Sequence, residues 1–207
     1  MITSSDIYVF IAALVAVYLL PGPDMALILS TSALGGRHNG LMVAVGLALS
    51  RALHVTLAAL GLAALFIAHP LLFDAVRWVG AAYLCWLAWR LLRTPKASGA
   101  NLMAHHQVGI RALRQGFLTN LLNPKALMFC ALLLPQFITP TGNLFEQYLF
   151  FGTILVALGA IFDVFYVLAS SGIAHHFSGS RTGQKVARII FASVFALAAI
   201  RLAVSPR

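Results

Sequence analysis

Apolar residues run through this chain in six long stretches, at about Ile7–Leu34, Leu41–Ala68, Leu71–Leu92, Gly116–Ile138, Gln147–Ile173 and Lys185–Val204. Each is long enough for a helix to cross a bilayer, which takes about 20 residues. Two of the six are interrupted. The first carries Leu19-Leu20-Pro21-Gly22-Pro23-Asp24, and the fourth carries Leu121-Leu122-Asn123-Pro124-Lys125. Proline lacks a donor N–H and drives its ring into the preceding turn, so neither stretch can continue as one regular helix. Gly22-Pro23-Asp24 has proline at a first helical position and an acid in the first turn, and Asn123-Pro124 pairs a preferred N-cap with proline. Both motifs therefore predict a half-helix that starts inside the membrane, with unpaired N–H groups and partial positive charge at its start.

The polar positions between the stretches set the topology. Arg37 marks the first connection, Arg90, Arg93, Lys96, Arg111 and Arg114 flank the third, and Arg181, Lys185 and Arg188 mark the fifth. The second, around His69–Pro70, and the fourth, Thr139–Glu146, have no Lys or Arg. Basic residues stay on the cytoplasmic side, which predicts both termini in the periplasm. The long polar piece Arg93–Arg114 then separates two halves of opposite orientation, as in many secondary transporters. The predicted organisation is residues 1–93 as a first three-helix repeat, 94–115 as a cytoplasmic connecting loop and 116–207 as a second repeat. Internal echoes support it: Arg77, Ala81, Ala88, Arg90 and Leu91 match Arg188, Ala192, Ala199, Arg201 and Leu202 at constant offset. The expected fold is an all-α integral membrane protein of six transmembrane helices, built as two inverted three-helix repeats with helices one and four broken at PGP and NPK.

Composition agrees. Of 207 residues, 61% are hydrophobic and 9% charged, against about 25% charged in soluble domains, and mean hydropathy is +0.92. A net charge of +9 would point to nucleic acid in a soluble protein. Here the basic residues gather at the ends of apolar stretches, so no nucleic-acid partner is expected. The N-terminal MITSSDIYVF lacks the basic region of a cleaved signal peptide. Cys85 and Cys130 lie inside apolar stretches, and no structural disulfide is expected. No Walker loop, nucleophile elbow or zinc-protease motif occurs, which argues against ATP-driven transport by this chain, against an enzyme and against a bound cofactor. His105-His106 and His175-His176 have no Cys or carboxylate at ligand spacing and read as solvated connections, with no metal site.

Candidate chemistry lies at the middle of the membrane. Counting residues from the inner connections places Asp24, Arg51, Lys125 and Asp163 about 15 Å deep, near the centre of a core about 30 Å thick. Their formal charges cancel, as intramembrane charges that pair or face a cavity should. His54 lies one turn from Arg51, and Tyr166 one turn from Asp163. Singly, each charge could be a structural ion pair and each proline a packing kink. Together, Gly22, Pro23, Asp24, Arg51, His54, Asn123, Pro124, Lys125 and Asp163 define a polar substrate site. Gly46/Ser50 and Ala44/Ala48 are small pairs at four-residue spacing and predict a close helix contact.

These residues also carry a resemblance. Leu20–Met25 (LPGPDM), Gly35-Gly36-Arg37-x2-Gly40, Gly80-Ala81-Ala82-Tyr83-Leu84 with Trp86, Trp89 and Arg90, Gly116-Phe117-x2-Asn120-x2-Asn123-Pro124-Lys125-Ala126, and Arg201-Leu202 together resemble the lysine exporter (LysE/RhtB) family of amino-acid translocators. The resemblance covers nearly the whole chain. It implies a bacterial inner-membrane exporter of amino acids driven by an ion gradient, with the proton as the expected coupling ion. The PGPD form is closer to the homoserine/threonine branch, implying neutral substrates. Arg51 departs from the pattern, which has a small or acidic residue there and a His three positions on. It could pair with Asp24, with Asp163 or with substrate. The expected mechanism is alternating access, with the half-helix starts at Pro23 and Asn123–Pro124, aided by Lys125 or Arg51, receiving the substrate carboxylate. Asp24 and Asp163 would hold its ammonium, and one of them or His54 the coupling proton. Alternatives are a membrane thiol-disulfide carrier using Cys85 and Cys130, and a passive channel or metal-ion carrier. Pairing as a homodimer is left open.

Overall fold

The computed structural model describes residues 4–93, 102–139, 142–178 and 181–204. Among them no strand occurs, and the elements follow one another as α1 (Ser4–Leu19), α2 (Pro23–Gly35), α3 (Arg37–Ala59), α4 (Leu62–Ala68), α5 (Pro70–Arg93), α6 (Leu102–Leu121), α7 (Pro124–Met128), α8 (Leu144–Ser178) and α9 (Arg181–Val204). Between α7 and α8 the chain makes a π-helical turn, Phe129–Leu133, and a 3-10 turn, Leu134–Phe137. Pro135 accounts for this irregularity, because its ring forbids the α-helical bond to the carbonyl four residues earlier. Among the described residues, α3, α5 (from Leu71) and α8 (to Ser170) are each long and apolar enough to cross a membrane, and two bent pairs qualify if each is counted as one span.

The bent pairs are the two predicted breaks. Ser4–Leu19 and Pro23–Gly35 meet at 55°, and Gly109–Leu121 and Pro124–Phe137 at 56°. In both, proline opens the second helix at its first position. Gly22 precedes α2 in an extended conformation without a side-chain cap, whereas the Asn123 side chain accepts from the Lys125 N–H at 3.1 Å.

Two expectations need correction. The stretch Leu41–Ala68 is not one helix: α3 starts earlier, at Arg37, and stops at Ala59, and Gly61 at φ +87° turns the chain into the short α4. Only glycine takes that left-handed conformation without strain. The segment 94–115 is also not loop throughout, since α6 is helical from Leu102. Its polar look comes from helical spacing: Arg111 and Arg114 are exposed while Gly109, Ala112 and Gly116 are buried, the signature of an amphipathic helix.

That buried face packs on α3 at very close range. A methyl group on Gly46 would collide with the Leu113 carbonyl, and one on Gly116 with the Val43 carbonyl. The close contact expected around Gly46 is therefore present, and α6 is its partner. Elsewhere α3 and α2 lie against α8, and α5 packs along α9. Ala81, Ala88, Ala192 and Ala199, the alanines of the internal echo, are all buried. Two apolar clusters result. One joins Leu27, Leu47, Leu84, Val167 and Phe195. The other centres on Phe10, whose ring lies 4.9 Å from Phe151 and 5.0 Å from Phe137. At the start of α8, Asn143 accepts from the N–H groups of Phe145 and Glu146 and donates to the Glu146 carboxylate at 2.9 Å, a reciprocal cap.

Candidate functional site

The two breaks face each other across a cavity of about 60 Å3, bordered by α1, α2, α3, α6, α7 and α8. By volume it has room for a few waters. Of the nine candidate residues, Gly22, Asp24, Arg51, His54, Asn123, Lys125 and Asp163 line it. Pro23 and Pro124 do not; they set the first turns of α2 and α7 from which Asp24 and Lys125 project.

The charges are held in three different ways. Arg51 and Asp163 make a two-pronged ion pair, with Nη1 on Oδ2 at 2.5 Å and Nη2 on Oδ1 at 3.1 Å, and both side chains are 4% exposed. Of the two acids that sequence offered as its partner, Arg51 meets Asp163. Parallel hydrogen bonds from a planar guanidinium are the strong form of such a pair. The guanidinium also lies 5.1 Å from the Tyr18 ring centre, within cation–π range. It fits because Gly159, one turn before Asp163, has no side chain: a methyl there would come 2.7 Å from Nη1 and 2.9 Å from the Tyr18 hydroxyl.

Among the described residues no cation is bonded to Asp24. Its Oδ2 accepts from Asn120 at 2.6 Å and its Oδ1 from Asn123 at 3.1 Å. An acid in the first turn behind one break is thus held by the cap of the other break and by the residue three positions before that cap. Lys125, in turn, donates to main chain: its Nζ reaches the Val17 carbonyl at 2.8 Å and lies 3.5 Å from that of Leu20. The Tyr166 hydroxyl donates to the Tyr18 carbonyl at 2.7 Å. The last carbonyls of a helix have no partner within it and attract positive charge. α8 and α7 supply those partners to α1, which is how a broken helix is tolerated away from water.

His54 is fully buried beside this network. Neither of its ring nitrogens has a hydrogen-bond partner among the described residues, although the Leu121 carbonyl lies alongside, and Asn120 Oδ1 is likewise unpartnered. Buried polar atoms are rarely left so unless water or a ligand serves them.

Three contributors escaped the sequence reading. Asn120 stands in the motif that carries the resemblance, near the end of α6 and three residues before the Asn123 cap, but was not assigned to the site. Tyr18 and Gly159 gave no local signal beyond a polar or small residue in an apolar run. Cys130 is buried and lines the cavity, while Cys85 is exposed on α5. Among the described residues no three His, Cys, Asp or Glu side chains gather to hold a metal. The side chains of the two His pairs lie outside the described residues.

A helical membrane protein with a charged cavity between two broken helices is the architecture of a solute carrier. Residues 15–206 match the model of the LysE type translocators, and the chain belongs to that family. It is 31% identical over 185 residues, 89% of each chain, to a homoserine/homoserine lactone efflux protein of Salmonella typhimurium. A leucine efflux protein of Salmonella choleraesuis is 26% identical over 198 residues, covering 95% of this chain and 93% of its own. An uncharacterized membrane protein of Vibrio cholerae is 31% identical over 193 residues, 92% and 94% of the two chains. No solved structure matches.

Proposed function

We propose that this protein exports amino acids, neutral and homoserine- or threonine-like, across the bacterial inner membrane by alternating access coupled to protons. The observation that carries the reading is the cavity itself, where acid, base and unpartnered polar atoms from both breaks converge. A zwitterionic amino acid presents a carboxylate and an ammonium a few bonds apart. Arg51 and the half-helix starts at Pro23 and Pro124 suit the first, and Asp24 and Asp163 suit the second. His54 and Asn120 have hydrogen-bonding capacity left for the substrate or its water. Among the described residues Asp24 is held by amides and by no ion pair, whereas Asp163 is paired with Arg51, so Asp24 is the carboxylate we assign to the coupling proton.

Two inverted halves with both termini in the periplasm fit the distribution of basic residues. The near-equal bends of 55° and 56° and the packing of α3 on α8 and α5 on α9 support the same arrangement. One chain supplies every group named here, so the reading holds whether or not two copies pair. Counterflow in proteoliposomes against a panel of amino acids, with and without a pH gradient, tests it. Homoserine, threonine or leucine should exchange, and a pH gradient should drive accumulation that Asp24→Asn abolishes while the protein stays folded. Wild-type accumulation in that variant would remove Asp24 from the mechanism. Flux indifferent to the gradient would favour a passive channel, and activity that survives alkylation of both thiols would dispose of a thiol carrier.

A further inference from the structure

Two side chains on the wall of the central cavity end in polar atoms that no described residue serves. His54, fully buried on α3, has no hydrogen-bond partner for Nδ1 or Nε2, and Asn120, 1% exposed on α6, has none for Oδ1. Ser32, Asn39, Ser50 and Thr119 also carry a buried oxygen without a partner among the described residues, but none of them borders the cavity. The charged groups of the wall are already engaged. Arg51 is matched with Asp163, Asp24 accepts from Asn120 Nδ2 and from Asn123, and Lys125 caps α1. His54 and Asn120 occur together because Gly46 and Gly116 bring α3 and α6 backbone to backbone. His54 thereby ends beside the Leu121 carbonyl, next in sequence to Asn120.

A buried polar atom without a partner costs free energy, so atoms aimed into a cavity in this state call for a ligand or water. A neutral imidazole offers one donor and one acceptor, and the Asn120 oxygen a further acceptor. A carboxylate only accepts, and here it would face the Asp24 charge. An ammonium only donates. A hydroxyl does both and matches the set, whereas an aliphatic side chain would leave His54 and Asn120 bare. A site built around hydrogen bonds to a hydroxyl rejects the analogue that lacks it, because its own buried groups are then unpaired. The competing place for a substrate side chain is the apolar part of the wall, at Leu14, Cys130 and Leu155, which would favour the aliphatic analogue.

Resting on the export reading above, we infer that His54 and Asn120 read the side chain of the substrate. His54 donates to its hydroxyl and Asn120 Oδ1 accepts from it, so the cavity selects hydroxy amino acids over aliphatic ones of the same size.

The test is counterflow by the full-length protein in proteoliposomes with two isosteric pairs, homoserine against norvaline and threonine against valine. The ammonium analogue of homoserine, 2,4-diaminobutyrate, is the further arm. At limiting concentration wild type should exchange each hydroxy member about tenfold or more faster than its methyl analogue. His54→Leu should bring both ratios to within about twofold, whatever its absolute rate. His54→Gln keeps a donor and an acceptor and should hold most of the preference. Four results would each overturn the assignment while leaving export intact: wild-type ratios near one, a preference for norvaline or 2,4-diaminobutyrate, a His54→Leu loss shared equally within each pair, or a preference that His54→Gln loses as fully as His54→Leu. Exchange of none of these amino acids would remove the export reading and the subsite with it. Should His54→Leu fail to fold, the wild-type ratios still decide, since values near one overturn the subsite.

Discussion

Lys125 Nζ donates to the Val17 carbonyl at 2.8 Å, so a base on the second break closes the end of the helix that leads into the first. The bond makes a lysine that looked like a substrate ligand also a cap. Lys125→Met should leave the Val17 carbonyl unserved and destabilise the protein by about 1.5–3 kcal/mol, the range for hydrogen bonds to charged groups. Lys125→Arg should recover part of that loss. Chemical unfolding of the detergent-solubilised variants measures both; equal stability of Lys125→Met and wild type would confine the lysine to transport.

Arg51 and Asp163 should behave as one unit. Removing either partner of a buried pair leaves an uncompensated charge and typically costs about 3–5 kcal/mol. Arg51→Met and Asp163→Leu are each expected to be severely destabilising, and the double variant less so than the sum of the two. A double-mutant cycle on unfolding free energy reads the coupling directly. The double variant should still fail to transport, which separates the pair's structural part from its part in the site.

Gly159→Ala tests the same pair from the other side. Its methyl would occupy space now taken by Nη1 of Arg51 and the Tyr18 hydroxyl, while alanine is otherwise the better helix former. Helix propensity alone predicts about 1 kcal/mol of gain; displacement of the guanidinium predicts a loss of about 1–3 kcal/mol. The melting temperature should fall, and transport with it.

Asn123 has two duties that substitutions can divide. Asn123→Ser keeps a cap for α7 and loses the donor to Asp24. Asn123→Asp keeps the cap and sets two carboxylates against each other. Asn123→Ala loses both, with about 1 kcal/mol for the cap alone. If the contact with Asp24 matters more for transport than the cap does, Asn123→Asp should be the least active of the three in liposome export while remaining folded.

The sites of the two breaks were legible because proline chemistry is local: Pro23 and Pro124 forbid a continuous helix whatever surrounds them. The buried charges were legible for a related reason, since Asp24, Arg51, Lys125 and Asp163 are costly in hydrocarbon without a purpose. Their partners were not. Whether Arg51 meets Asp163 or Asp24 depends on the rotation of α3 against α8, which no single helix encodes. Lys125 finds a carbonyl that exists only because α1 ends where it does. Gly61 passed unnoticed because Leu60 and Leu62 keep its surroundings apolar, so hydropathy ran straight through a turn that only the backbone reveals. Arg111 and Arg114 give a loop-like charge density, and only their helical spacing with the buried Gly109, Ala112 and Gly116 marks them as the exposed face of α6.

Asp24 is anchored by Asn120 and Asn123, and these three residues come from opposite halves of the chain. In evolutionary terms the two halves cannot drift separately at this point. A change of position 24 to a base would set a new donor against two amide donors, and a change of 120 or 123 to an acid would set carboxylate against carboxylate. Among descendants of this protein, substitutions at 24, 120 and 123 should therefore arrive as compensated sets, however freely the lipid-facing residues around them exchange.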